Sequence, residues 1–232
     1  GNDVITGGDG NDSIDAGTGS DTVIADAGND TLSGGDTTDS NTLSFANAGA
    51  TNLVVNLSAG TASSTVTGTD SISNFQNVMG GTGNDSIIGS AVANIIDAGE
   101  GNNSVDAGDG ADTITAAGGN NSIVAGDGND SVTLGNGLNI VNAGDGNDVV
   151  SAGSGANTID GGTGNDRITV GLGTSPFGAN SVQGGVGNDT IVAGGGNDSI
   201  DGGADDDSIF GGAGNDVITG GLGNDSIDAG TG

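Results

Sequence analysis

One aliphatic residue returns every nine positions along most of this chain, with polar neighbours on both sides and a glycine-rich stretch before it. Numbered so that the aliphatic residue is position 8, the first run is Ile5, Ile14, Val23 and Leu32. The pattern resumes with Ile87, Ile96, Val105, Ile114, Ile123, Val132, Val141, Val150, Ile159 and Ile168. It ends with Val182, Ile191, Ile200, Ile209, Ile218 and Ile227. All but Leu32 are β-branched, a shape that suits stacked strands. Positions 7 to 9 therefore predict a very short strand, with residue 8 facing inward and its neighbours outward. Glycines recur at positions 1, 2 and 4, as in Gly211-Gly212-Ala213-Gly214-Asn215-Asp216, and predict tight turns with close backbone approach. A fixed short period means a stack of near-identical rungs. Two nonapeptides make one 18-residue coil, a strand and a turn on each side, with successive coils about 4.8 Å apart.

Two interruptions divide the stack. Residues 40–79 lack the glycine turns and hold Phe45, Phe75 and the single Met, Met79. Within them Leu53-Val54-Val55-Asn56-Leu57 predicts a longer strand, and Asp70 to Phe75 a bridge back into the repeats. The organisation expected is a first block over 1–39, an irregular β-rich connector over 40–79 and a second block over 80–232. A five-residue insertion, Ser175-Pro176-Phe177-Gly178-Ala179, is expected to bulge from one turn of the second block. Residues 1–19 and 214–232 are identical except for Asp9 against Leu222, which points to a unit recurring in a longer parent.

Position 6 carries the chemistry. It is Asp in most repeats, and 18-residue coils stack these carboxylates nearly on top of one another. Two such charges about 5 Å apart repel by roughly 3 kcal/mol at an effective dielectric near 20. A calcium ion between them reverses that sign, and turn carbonyls can supply most of the six to eight oxygens calcium takes. Binding and folding should then be one event. From Asp112 to Asp189 the position alternates Asp and Asn, so one edge of the stack carries Asp112, Asp130, Asp148, Asp166 and Asp189. The other carries Asn121, Asn139, Asn157 and Asn180, expected as a mostly metal-free amide ladder. Beyond Asp189 both edges are Asp again.

Composition narrows the partners. Thirty-one acids face one basic residue, Arg167, for a net charge of −30. Nucleic acid needs Lys and Arg to meet its phosphates, so it is not an expected partner. No apolar run approaches the roughly 20 residues of a membrane span, so direct membrane insertion is not expected either. Absence of Cys excludes disulfide staples. Without His, Cys, Lys or Tyr there is no ready base or nucleophile, and a carboxylate pair repeated every coil is architecture, so no enzyme is expected. A regular Thr-x-Thr lattice for ice is confined to Thr113-Ile114-Thr115.

These repeats resemble the RTX (repeats-in-toxin) calcium-binding nonapeptides, of the bacterial surface-layer or large-adhesin kind. The resemblance implies an all-β, right-handed parallel β-roll with calcium ions between consecutive turns, held by position-6 carboxylates and turn carbonyls. Carried over residue by residue, the ligands are Asp3, Asp12, Asp21, Asp30, Asp39, Asp85, Asp112, Asp130, Asp148, Asp166, Asp189, Asp198, Asp207, Asp216 and Asp225. Asp39 stands in a turn that has lost its third glycine. The resemblance further implies a secreted, extracellular structural region that folds on meeting calcium; copies of itself or neighbouring repeat blocks are its candidate partners, through calcium bridging of the position-9 acids Asp15, Asp106, Asp160, Asp201 and Asp228. Its alternative is the C-terminal tail of a type I-secreted protease, lipase or toxin.

Overall fold

The computed structural model describes residues 1–172 and 178–232. Among them are 25 strands, numbered in chain order, and no helix. The first sheet holds β1 (Val4–Thr6), β3 (Thr22–Ile24), β5 (Thr42–Ser44), β9 (Asn77–Met79), β11 (Ile95–Asp97) and β13 (Thr113–Gly118). It continues with β15 (Ser131–Asn136), β17 (Val149–Gly153), β19 (Arg167–Leu172), β21 (Thr190–Val192), β23 (Ser208–Phe210) and β25 (Ser226–Asp228). The second sheet begins β2 (Ser13–Asp15), β4 (Thr31–Ser33), β8 (Gly68–Ser73), β7 (Thr61–Ser64), β6 (Val54–Asn56) and β10 (Ser86–Ser90). It runs on through β12 (Ser104–Asp109), β14 (Ser122–Asp127), β16 (Ile140–Asp145), β18 (Thr158–Thr163), β20 (Ser181–Val186), β22 (Ser199–Ala204) and β24 (Val217–Leu222).

The chain crosses from one sheet to the other and back in each coil, a parallel β-solenoid. Ile87 pairs with Val105 and Ile114 with Val132, one 18-residue turn apart. The insertion lengthens one coil, so that Thr158 pairs with Ser181 and Arg167 with Thr190, and the parallel register continues beyond it. Its Ser175, Pro176 and Phe177 lie outside the described residues.

Position 8 is the core, from Val23 to Ile209. A second inward column lies at position 1, where Ala107, Ala116, Ala125, Leu134, Ala143, Ala152 and Val170 are buried. From β12 to β20 the strands therefore run to five or six residues, longer than the three expected, whereas β1 to β4, β11, β21, β23 and β25 keep the expected three. β12 spans Ser104-Val105-Asp106-Ala107-Gly108-Asp109, with Val105 and Ala107 buried. The cause is strand alternation, which puts positions 6, 8 and 1 on one side and positions 7 and 9 on the other. Within the repeats the glycines that take the left-handed backbone stand at positions 2 and 4, as Gly126 (φ 115°) and Gly128 (φ 141°) do, and Asp205 takes it at position 4 without being glycine (φ 81°).

Residues 40–79 contribute β5 to β9 and pair within both sheets. The chain runs ahead to lay β6 beside β10, then turns back through β7 and β8 to rejoin β4, giving antiparallel pairs β6–β7 and β7–β8. Phe45, Leu53 and Phe75 are buried here, filling with larger side chains a stretch that lacks the thin repeating core.

Candidate metal centre

The inward placement of position 6 buries a carboxylate or amide through the inner coils, whereas towards the two ends Asp3 is exposed and Asp12, Asp216 and Asp225 are half-buried. Asp112, Asp130, Asp148, Asp166 and Asp189 are each 1% exposed. One oxygen of each is committed to the backbone. Its Oδ1 accepts the N–H of position 6 in the preceding coil: Asp112 N–H to Asp130 at 2.7 Å, Asp130 to Asp148, Asp148 to Asp166 and Asp166 to Asp189 at 2.8 Å. On the same edge Asp3 donates to Asp21 at 2.7 Å, Asp189 to Asp207 at 2.9 Å and Asp207 to Asp225 at 3.1 Å. The opposite edge carries Asp12 to Asp30 at 2.9 Å, Asp85 to Asn103 at 2.9 Å and Asp198 to Asp216 at 2.9 Å.

The second oxygen is left over. Oδ2 is buried with no hydrogen-bond partner in Asp12, Asp21, Asp70, Asp112, Asp130, Asp148, Asp166, Asp189, Asp198, Asp207 and Asp216. In some coils the glycine at position 1 preserves its space. A Cβ on Gly184 would lie 2.4 Å from both Asp189 Oδ2 and the Gly202 carbonyl oxygen, so an oxygen-lined gap exists there because no side chain fills it. A buried unpaired carboxylate oxygen is costly. Burial accordingly pushes Asp112 and Asp148 up to about 6 and Asp189 to about 7, against the backbone hydrogen bonds that lower them. The neighbouring coils' carboxylates add to the rise, Asp130 on Asp112 and both Asp166 and Asp207 on Asp189.

The other edge resolves the same problem with nitrogen. Asn121 Nδ2 donates to Asn139 Oδ1 at 3.0 Å, Asn139 to Asn157 at 3.0 Å, Asn157 to Asn180 at 3.1 Å and Asn180 to Asp198 at 3.0 Å. The same amides donate to carbonyls of their own turns: Asn121 to Gly119 at 3.1 Å, Asn139 to Gly135 at 3.2 Å and Asn157 to Gly153 at 3.1 Å. Where the amide places a donor, the aspartate places an acceptor. The aspartate edge thus lacks positive charge where the asparagine edge has N–H groups. An oxygen-only site of carboxylates and carbonyls matches calcium. Among the described residues no three acidic side chains converge, so such a site must draw on backbone oxygens.

The family profile of the RTX calcium-binding nonapeptide repeat, in four-copy form, matches residues 1–23, 15–40, 79–114, 106–141, 115–150, 142–174, 177–209 and 201–232. The chain belongs to the RTX calcium-binding repeat family. Only residues 41–78 and 175–176 escape the RTX matches. Comparison with curated proteins finds no match.

Three residues or groups important to these RTX turns were not anticipated. Asn41, not Asp39, occupies the ladder, accepting the Asp21 N–H at 2.9 Å. Two extra residues in that coil, where Thr22 pairs with Thr42, move Asp39 off the column, and its Oδ2 instead accepts the Gly19 N–H at 2.9 Å. Asp70 enters the column by accepting the Asp30 N–H at 3.0 Å, and burial pushes it up to about 6. Its signal was a half-motif, Gly68-Thr69-Asp70-Ser71-Ile72-Ser73, which is positions 4 to 9 without a start. Finally, Asn at position 5 forms an exposed ladder in the opposite sense. Asn147 Oδ1 accepts the Asn165 N–H and Asn165 Oδ1 the Asn188 N–H, both at 2.7 Å. The Asn-Asp dipeptide therefore binds the following coil with one side chain and the preceding coil with the other.

Proposed function

We propose that this chain is a structural, calcium-folded repeat region of a secreted bacterial cell-surface protein, of the surface-layer or adhesin kind. The row of buried Oδ2 atoms without a partner carries this reading. Bound calcium supplies the positive charge that this row lacks. The residues that hold it are Asp3, Asp12, Asp21, Asp30, Asp85, Asp112, Asp130, Asp148, Asp166, Asp189, Asp198, Asp207, Asp216 and Asp225, joined by Asp70. Asn103, Asn121, Asn139, Asn157 and Asn180 leave their edge largely metal-free, because their amides already satisfy the turn.

A thin core and a −30 charge keep the chain unfolded where calcium is scarce. Extracellular modules bind calcium with dissociation constants of roughly 0.1–1 mM, so cytosolic levels leave such sites empty. The chain then leaves the cell as a coil, by the type I route of its RTX relatives, and folds outside. Recurrence of residues 1–19 at 214–232 supports an extended repetitive parent over an enzyme's tail. Far-UV circular dichroism during a calcium titration tests this reading. A cooperative coil-to-β transition at sub-millimolar to millimolar calcium, absent with magnesium, supports it. A β signal that survives EDTA at neutral pH refutes it.

A further inference from the structure

The outer faces of the two sheets differ in charge. On the second sheet, outward position 9 carries Asp15, Asp106, Asp160 and Asp201. On the first sheet, the outward positions 7 and 9 of all twelve strands hold two acids, Asp97 on β11 and Asp228 on β25. The rest are hydroxyl, amide or apolar residues, and one is Arg167, the only cation in the chain. Arg167 is exposed and stands between Val149 and Thr190 on the adjacent strands. It makes no ion pair among the described residues, in a chain with 31 acids. Apolar side chains lie open on the same face, with Val149 43%, Phe210 42%, Met79 42% and Ile95 55% exposed.

Arg167 and Asp97 lie on β19 and β11, which flank β15 at equal distance, two strands to either side. We propose that the first sheet's outer face is a self-association surface, on which a second copy of this chain packs about a two-fold axis parallel to the strands and over β15. That axis lays β19 of each copy over β11 of the other. Arg167 then faces the other copy's Ile95, two residues along the strand from Asp97. Packed sheets lie about 10 Å apart, a gap a long guanidinium side chain crosses. The same symmetry sets Val192 over Met79 and Val149 over Thr113, opposes no two acids of positions 7 and 9, and lays Asp228 over Ile24, two residues along the chain from Asp26. Overlap from β3 to β25 covers about 53 Å along the stack and 10–20 Å across it. That is roughly 500–1,000 Å² per copy, against about 800 Å² in a standard stable interface. The opposite face offers no equivalent, because its outward positions 7 and 9 hold four acids and no cation to pair with them.

The proposal rests on the calcium-folded reading above, and its test separates the two. Sedimentation velocity of the whole chain in millimolar calcium should show a reversible dimer, with circular dichroism recorded on the same samples. Arg167→Glu and Asp97→Arg should each weaken the dimer by about tenfold or more, and the double exchange should restore it. A monomer with full β signal, or an Arg167→Glu variant that associates like the parent, overturns the interface. Loss of association on changing Asp15, Asp106, Asp160 and Asp201 to Asn assigns it to calcium bridging of the other face, and also overturns it. Absence of β structure in calcium overturns the folding reading and the interface together.

Discussion

Between Asn103 and Asp198 the two edges of the solenoid share a backbone and differ at one atom. On both, Oδ1 of position 6 takes the N–H of the coil before it, at 2.8 Å for Asp130 to Asp148 and 3.2 Å for Asn121 to Asn139. The other atom is nitrogen on one edge and oxygen on the other. The nitrogen meets acceptors and satisfies them, whereas the oxygen is buried with nothing to accept from. The lesson is that this fold can close a turn with an internal donor or with a cation from outside. The aspartate edge is the part of the molecule that depends on its surroundings.

The largest effect expected in breaking this comparison comes from emptying the aspartate edge. Changing Asp112, Asp130, Asp148, Asp166 and Asp189 together to Ala removes both the metal ligands and the backbone acceptors. The variant should give no cooperative β transition at any calcium level in a circular dichroism titration. The same five positions changed to Asn should fold further without calcium than the parent does.

Next in size is the shared core. Ile114 faces it from the first sheet and Ile123 from the second, both buried. Either change to Ala should cost about 2–5 kcal/mol in urea unfolding with calcium present. A large difference between the two would mean that the edges do not share one core.

Acidity should sharpen the contrast. Burial raises Asp112 and Asp148 from 3.8 to about 6 and Asp189 to about 7, so the metal-free fold favours their protonated forms. That contribution is complete below pH 3.8 and is lost as pH rises through 6 to 7. In EDTA, β structure should therefore grow as pH falls from 8 towards 4. Calcium should have its greatest effect above pH 7. A metal-free chain with equal β content at both ends of that range would show that the aspartate edge carries no such penalty.

A smaller effect belongs to the asparagine edge. Asn139→Asp replaces a donor to Asn157 and Gly135 with an acceptor. In urea unfolding at a calcium level just sufficient to fold the parent it should cost about 1–3 kcal/mol, and less at saturating calcium.

Much of this was legible in the residues because the period is short and the marker strong. A β-branched residue every nine positions fixes the strands, and Asp against Asn at position 6 separates the two edges. The inward column at position 1 was hidden because it is mostly Gly or Ala, which carry little hydrophobic signal. Only Leu134 and Val170 betray it. Asp39 was misplaced, and Asp70 overlooked as a ladder member, for one reason. A nine-residue count assumes constant coil length, whereas Thr22 to Thr42 is two residues longer and Asp70 follows a hairpin. The role of Asn at position 5 is invisible to composition, since a polar turn residue gives no hint that it clasps the next coil.

The most direct test is anomalous diffraction from crystals grown in calcium. The account predicts a file of ions along Asp112, Asp130, Asp148, Asp166 and Asp189, and none along Asn121, Asn139 and Asn157. Ions spaced equally on both edges, or an aspartate row with no ion between its coils, would contradict it.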